Sequence, residues 1–105
     1  MTNTHQAVAE VVRFELVKDV SDAQFVTLSQ TSEDYVRSAN GFLTRTLSKG
    51  EDGRWTDYVL WKDMEAALAM AAEFPKQAFA KDLMAAIAPN TVKMEHQTVL
   101  WQMSA

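Results

Sequence analysis

Cysteine is absent from the 105 residues, which removes disulfides, thiolate metal sites and cysteine nucleophiles together. Three glycines and two prolines leave no composition for a linker or low-complexity segment. No apolar run approaches the roughly 20 residues that a membrane span needs. The polar start MTNTHQ has neither the basic region nor the apolar core of a secretory signal. Cations are scarce: ten Lys and Arg stand against fourteen Asp and Glu, the net charge is -4, and no basic run occurs. A nucleic-acid binder needs clustered cations to neutralise phosphates, so that class is set aside. GxGxxG, Walker, HExxH and GxSxG motifs are missing too. These absences predict one soluble, cytoplasmic domain over residues 1–105, with no cofactor, no nucleic-acid partner and no membrane partner.

What is present is an ordinary globular composition, 48% hydrophobic and 23% charged, with six methionines as soft core filling. Its organising stretch is GFLTRTLSKGEDGRWTDYVLWKD, residues 41–63. Phe42 to Lys49 and Trp55 to Trp61 are rich in β-branched and aromatic residues, and Gly50-Glu51-Asp52-Gly53 separates them. Those features predict a β-hairpin. With a four-residue connection, Thr46 faces Asp57, Thr44 faces Val59 and Phe42 faces Trp61. One face then carries Phe42, Thr44, Thr46, Trp55, Asp57, Val59 and Trp61. The other carries Leu43, Arg45, Leu47, Thr56, Tyr58 and Leu60. Both faces are substantially apolar, so each must be covered.

Before the hairpin, alternation over Ala7 to Val17 predicts a strand with Val8, Glu10, Val12, Phe14 and Leu16 on one side. Ser21 and Gln24 form a capping box for a helix that Asn40-Gly41 stops. After the hairpin, Asp63 is an N-cap and MEAALAMAAEF is helical by composition. Pro75 cannot continue that helix but suits the first turn of another, so a break is expected there. Thr91 to Met103 reads as a final strand, with Met94, His96 and Thr98 on one face. The fold class is α+β: a ferredoxin-like β-α-β-β-α-β antiparallel sheet, its second helical region broken in two. Helices cover one sheet face only. The bare apolar face, expected to include Leu43, Leu47, Tyr58 and Leu60, predicts a homodimer joined sheet to sheet.

Gly41-Phe42 entering the hairpin, Trp61 ending its second strand, and Glu65-Ala66 inside the next helix carry a resemblance. Over nearly its whole length the chain resembles the dimeric α/β-barrel superfamily, and within it the antibiotic-biosynthesis-monooxygenase-like domains. The resemblance implies a dimer with a small pocket between sheet and helices in each unit. Characterised members include cofactor-independent monooxygenases of phenols or quinols, haem-degrading enzymes, isomerases and decarboxylases. Many active members carry a histidine on the helix after the Glu-Ala pair. Here Met70 stands at about that place, which argues against haem degradation and removes one familiar base.

Candidate chemistry falls to polar residues near the tryptophans. Asp57 sits between Trp55 and Val59; buried, it would make a general base, and near the strand end it would bond Thr46 or a backbone amide. His96 is a base or proton shuttle, or a hydrogen-bonded sheet histidine; with His5 on the tail it cannot build a metal site. Trp61 and Trp55, with Phe79 and Tyr35, would line a site for a small hydrophobic or aromatic ligand, or else pack the core. Glu10 reads as an edge salt bridge, and Arg45 and Lys49 as solvated or cross-dimer charges. Two functions follow. One is a cofactor-independent, monooxygenase-like enzyme for a phenolic or quinol substrate. The other is a non-catalytic dimeric binding or regulatory module.

Overall fold

A computed structural model describes residues 6–105; the predicted tail, with His5, lies outside them except for Gln6. Among these residues the strands and α-helices run in the order β1 (Val8–Phe14), α1 (Asp22–Gln30), α2 (Glu33–Arg37), β2 (Phe42–Lys49), β3 (Trp55–Trp61), α3 (Met64–Glu73), α4 (Ala80–Ala85) and β4 (Lys93–Thr98). The strands form one antiparallel sheet in the order β2-β3-β1-β4. This is the ferredoxin-like arrangement, with β3 and β1 at the centre of the sheet and helices packed on one face. The sheet of the single chain is open.

Local chemistry sets the element ends. Ser21 Oγ accepts from the Gln24 amide at 3.1 Å while Gln24 Oε1 accepts from the Ser21 amide at 2.8 Å, closing the capping box. The predicted single helix after it divides in two. Thr31 and Ser32 turn their hydroxyls back onto the carbonyls of Leu28 and Ser29, offering the backbone an alternative to the helical ladder. Gly41 then adopts φ +88°, and a Cβ there would lie 2.6 Å from that of Ala66. Glycine is required both by the backbone and by how closely α3 lies over the chain.

Asp63 caps α3 by accepting from the Ala66 amide at 2.9 Å. The break at Pro75 is present: α3 ends at Glu73 and a single 3-10 turn covers Phe74–Lys76. The helix beyond it is shorter than its composition suggests, Ala80–Ala85 only.

The hairpin corrects the expected register. Lys49 pairs with Trp55, so the connection is the five residues 50–54, closed by the Gly50 amide donating to the Arg54 carbonyl at 2.7 Å. Leu47 therefore faces Asp57 and Arg45 faces Val59. Phe42 still faces Trp61, because a bulge at Leu43 absorbs the extra residue. A one-residue slip moves side chains to the other face. Arg45 and Leu47 thus lie on the helix side, not with Tyr58 and Leu60 as expected.

Two apolar clusters fill the space under the helices. Val8, Val36, Val59, Trp61, Ala66, Ala67 and Met70 form one; Phe14, Phe25, Trp55, Leu83 and Ala86 form the other. On the helix-free side Ala9, Val11 and Leu60 make a third, small cluster with Ala7 and Val99. No described helix is long and apolar enough to cross a membrane.

Candidate functional site

Between the two larger clusters the packing is incomplete. A cavity of about 290 Å³ lies between sheet and helices. Its floor is the sheet: Glu10 and Val12 from β1, Arg45 from β2, Asp57, Val59 and Trp61 from β3. Its roof is apolar apart from Ser29, with Val36, Met70, Phe74, Leu83 and Ile87 among its members. Met84 and Met94 also line it and are 61% and 52% exposed, which places them at its rim. The volume is at the small end of ligand sites, and an apolar wall with a few converging polar groups is their usual construction.

The polar groups fall into two sets. Arg45 and Asp57 form a fork-to-fork pair: Nε donates to Oδ1 at 3.0 Å and Nη2 to Oδ2 at 2.8 Å. Arg45 Nη1 also donates to Ser32 Oγ at 2.8 Å, tying the pair to the start of α2. Both carboxylate oxygens of Asp57 are thereby engaged, in the geometry that makes arginine–carboxylate pairs strong. The β2 bulge makes this possible by bringing Arg45 to the cavity side.

The second set surrounds Glu10, which is 8% exposed in the middle of β1. Trp61 Nε1 donates to its Oε1 over a long 3.4 Å, and His96 Nε2 lies 3.8 Å from its Oε2. Burial pushes the Glu10 carboxyl above its ordinary value of 4.5; the Trp61 hydrogen bond and the nearby His96 pull against that rise. Asp57 adds to it and Arg45 subtracts. His96 Nε2 is buried without a hydrogen-bond partner among the described residues. No cluster of three or more His, Cys, Asp or Glu suited to a metal occurs among those residues.

Solved structures share this architecture. A single-residue variant of SnoaB, a cofactor-independent oxygenase from Streptomyces nogalater, matches 95% of this chain and 99% of its own at TM-score 0.75 and 20% identity. A Nitrosomonas europaea protein, provisionally named an antibiotic biosynthesis monooxygenase, matches 99% of this chain and 100% of its own at TM-score 0.72 and 13% identity. The fold is that of the antibiotic biosynthesis monooxygenases. A Bordetella bronchiseptica protein with the same provisional name shares the monooxygenase-like fold at TM-score 0.73 and 14% identity, over 91% of this chain and 99% of its own. No protein-family model and no curated protein sequence matches the chain.

Within the monooxygenase-like fold, Asp57 and Trp61 lie four residues apart on β3 and both line the cavity. His96 sits beside Glu10, across the β1–β4 pairing. Met70, at the position where the resemblance expects a histidine, does face the cavity, and offers it a thioether. Trp55 lies elsewhere: its ring packs with Phe14 and Phe25 at centroid distances of 6.5 and 5.2 Å. Phe79 and Tyr35 meet edge to face at 5.6 Å, and the Tyr35 hydroxyl accepts from Gln77 Nε2; neither ring lines this cavity.

Sequence reasoning missed Glu10 and Arg45 as cavity residues. A signal existed for Glu10, since alternation put it with Val12 and Phe14 at the centre of an apolar strand, where a bare carboxylate is costly. For Arg45 there was none, because its face depends on a bulge that β-branched composition does not announce.

Proposed function

We propose that the chain is a cofactor-independent, monooxygenase-like enzyme that takes a small phenol or quinol into the cavity under its helices. The observation carrying this reading is the cavity itself: apolar walls fit a flat ring, and a polar floor of Glu10, Arg45, Asp57 and Trp61 meets its hydroxyl. Ionising such a substrate leaves an anion rich enough in electrons to reduce oxygen directly. One oxygen atom enters the ring as a new carbonyl and the other leaves as water. The protein then needs to supply a base, a dry pocket and an anchor. Asp57, locked to Arg45, suits the anchor; His96 and its neighbour Glu10 suit the proton. Trp61, 1% exposed, forms the wall.

We propose further that two copies join through the helix-free sheet face. Tyr58, on that face, is 38% exposed beside the Ala9–Val11–Leu60 cluster. Beyond β4, Leu100, Trp101 and Met103 are 84, 78 and 75% exposed. Those exposed apolar side chains support a contact with a second copy.

A non-catalytic binding module is the second reading, and Met70 favours it, since it places no base on the roof. Oxygen uptake with a panel of phenols and quinols, chelator present, separates the two. Uptake above autoxidation, lost when Ala71→Phe fills the cavity, supports the enzyme. Ligand binding without uptake across the panel assigns the module instead.

A further inference from the structure

We infer that Glu10 is the proton acceptor of the cavity, the carboxylate that takes the hydroxyl proton of a bound phenol or quinol. This rests on the proposed phenolic ligand and adds a residue that the motifs did not single out. The two carboxylates on the floor differ in what holds them. Asp57 gives both oxygens to the Arg45 guanidinium, so a substrate hydroxyl must compete with two charge-assisted hydrogen bonds. Glu10 has no such partner. Its Oε1 accepts one long bond from Trp61, and its Oε2 accepts none among the described residues. Glu10 lines the cavity, and of the two carboxylates on its floor it is the less engaged.

The chemistry of the step is simple. The substrate O–H bond breaks, its electron pair stays on the substrate oxygen, and the proton passes to Glu10 Oε2. No oxidant is needed for it. A neutral carboxylic acid is the form that an apolar surrounding favours, and burial has already pushed the carboxyl upward. His96 Nε2, buried and without a hydrogen-bond partner among the described residues, lies 3.8 Å from Glu10 Oε2, longer than a hydrogen bond. The titratable and charged groups facing Glu10 are Asp57 from β3, Arg45 from β2 and His96 from β4. The helices over the cavity add no titratable side chain to its lining.

The test is binding of 4-nitrophenol, followed by difference absorbance over a pH series, to the wild-type chain, Glu10→Gln and Glu10→Asp. In the wild type, affinity should rise as Glu10 ionises and fall as the probe itself ionises. Glu10→Gln keeps the shape and an acceptor for Trp61 but has no charge; it should lose the rising limb and bind roughly tenfold more weakly at the maximum. Glu10→Asp should restore the rising limb at reduced affinity. A Glu10→Gln profile that matches the wild type, limb and affinity alike, overturns the assignment while leaving the phenol-binding cavity intact. Failure of the wild type to bind 4-nitrophenol or any member of the phenol and quinol panel overturns the proposed function, and this inference with it.

Discussion

Glu10 is the residue at which fold and function compete. In the unfolded chain its carboxyl titrates near the ordinary value; in the folded chain burial raises it. Between those two pKa values the native state holds a proton that the unfolded state has released. Stability therefore falls as pH rises through that window and stays lower above it. Glu10→Gln removes the titration. Urea unfolding of both proteins, from below the ordinary glutamate range up to neutral pH, should show the variant gaining on the wild type as pH rises. A constant difference across the series would mean that Glu10 is solvated, against its burial in β1. A buried acid kept at a stability cost, among the valines, alanine and phenylalanine of β1, marks a candidate site.

Among the elements, the join between α2, β2 and α3 is the most constrained. Gly41 combines a left-handed backbone with a contact that leaves no space for a methyl group. Gly41→Ala should cost on the order of 1–3 kcal/mol, read as a lowered denaturation midpoint at unchanged m-value. Sequence carried this join well, because Asn-Gly after an amphipathic stretch has a physical meaning that context seldom overrides. It carried the capping box at Ser21, the Asp63 cap and the Pro75 break for the same reason. The β2–β3 register was less legible. Gly50 and Gly53 begin and end a four-residue loop on paper, yet Arg54 joins the connection and the bulge at Leu43 compensates. Only the packing of Leu47 onto the Phe14–Trp55 cluster decides between those registers, and that contact is tertiary. Arg45 moved faces with it. The Asp57–Arg45 pair was therefore invisible to a reading that had Asp57 on the correct side. The split of the first helix was hidden too, since Thr31 and Ser32 are tolerated inside many helices and here turn back on their own carbonyls.

At the scale of the whole molecule, the chain is asymmetric: one sheet face under helices, the other left to itself. Leu60, expected on the bare surface, is buried in the small cluster there, whereas Tyr58 is exposed; if two copies meet on that face, Tyr58→Asp places a charge in the contact. Sedimentation should then show a monomer or an unfolded chain; a folded dimer would move the interface elsewhere. The covered face holds the central claim, that the space under the helices receives a small aromatic ligand. Methionine methyl groups report on it directly. Met70, Met84 and Met94 line the cavity, while Met64 and Met103 do not. With methyl-labelled methionine, titration of the phenol and quinol panel should shift the resonances of Met70, Met84 and Met94 together and leave those of Met64 and Met103 in place. Shifts confined to Met64 or Met103, or no shift at all with a ligand shown to bind, would put the binding site outside the cavity and contradict the claim.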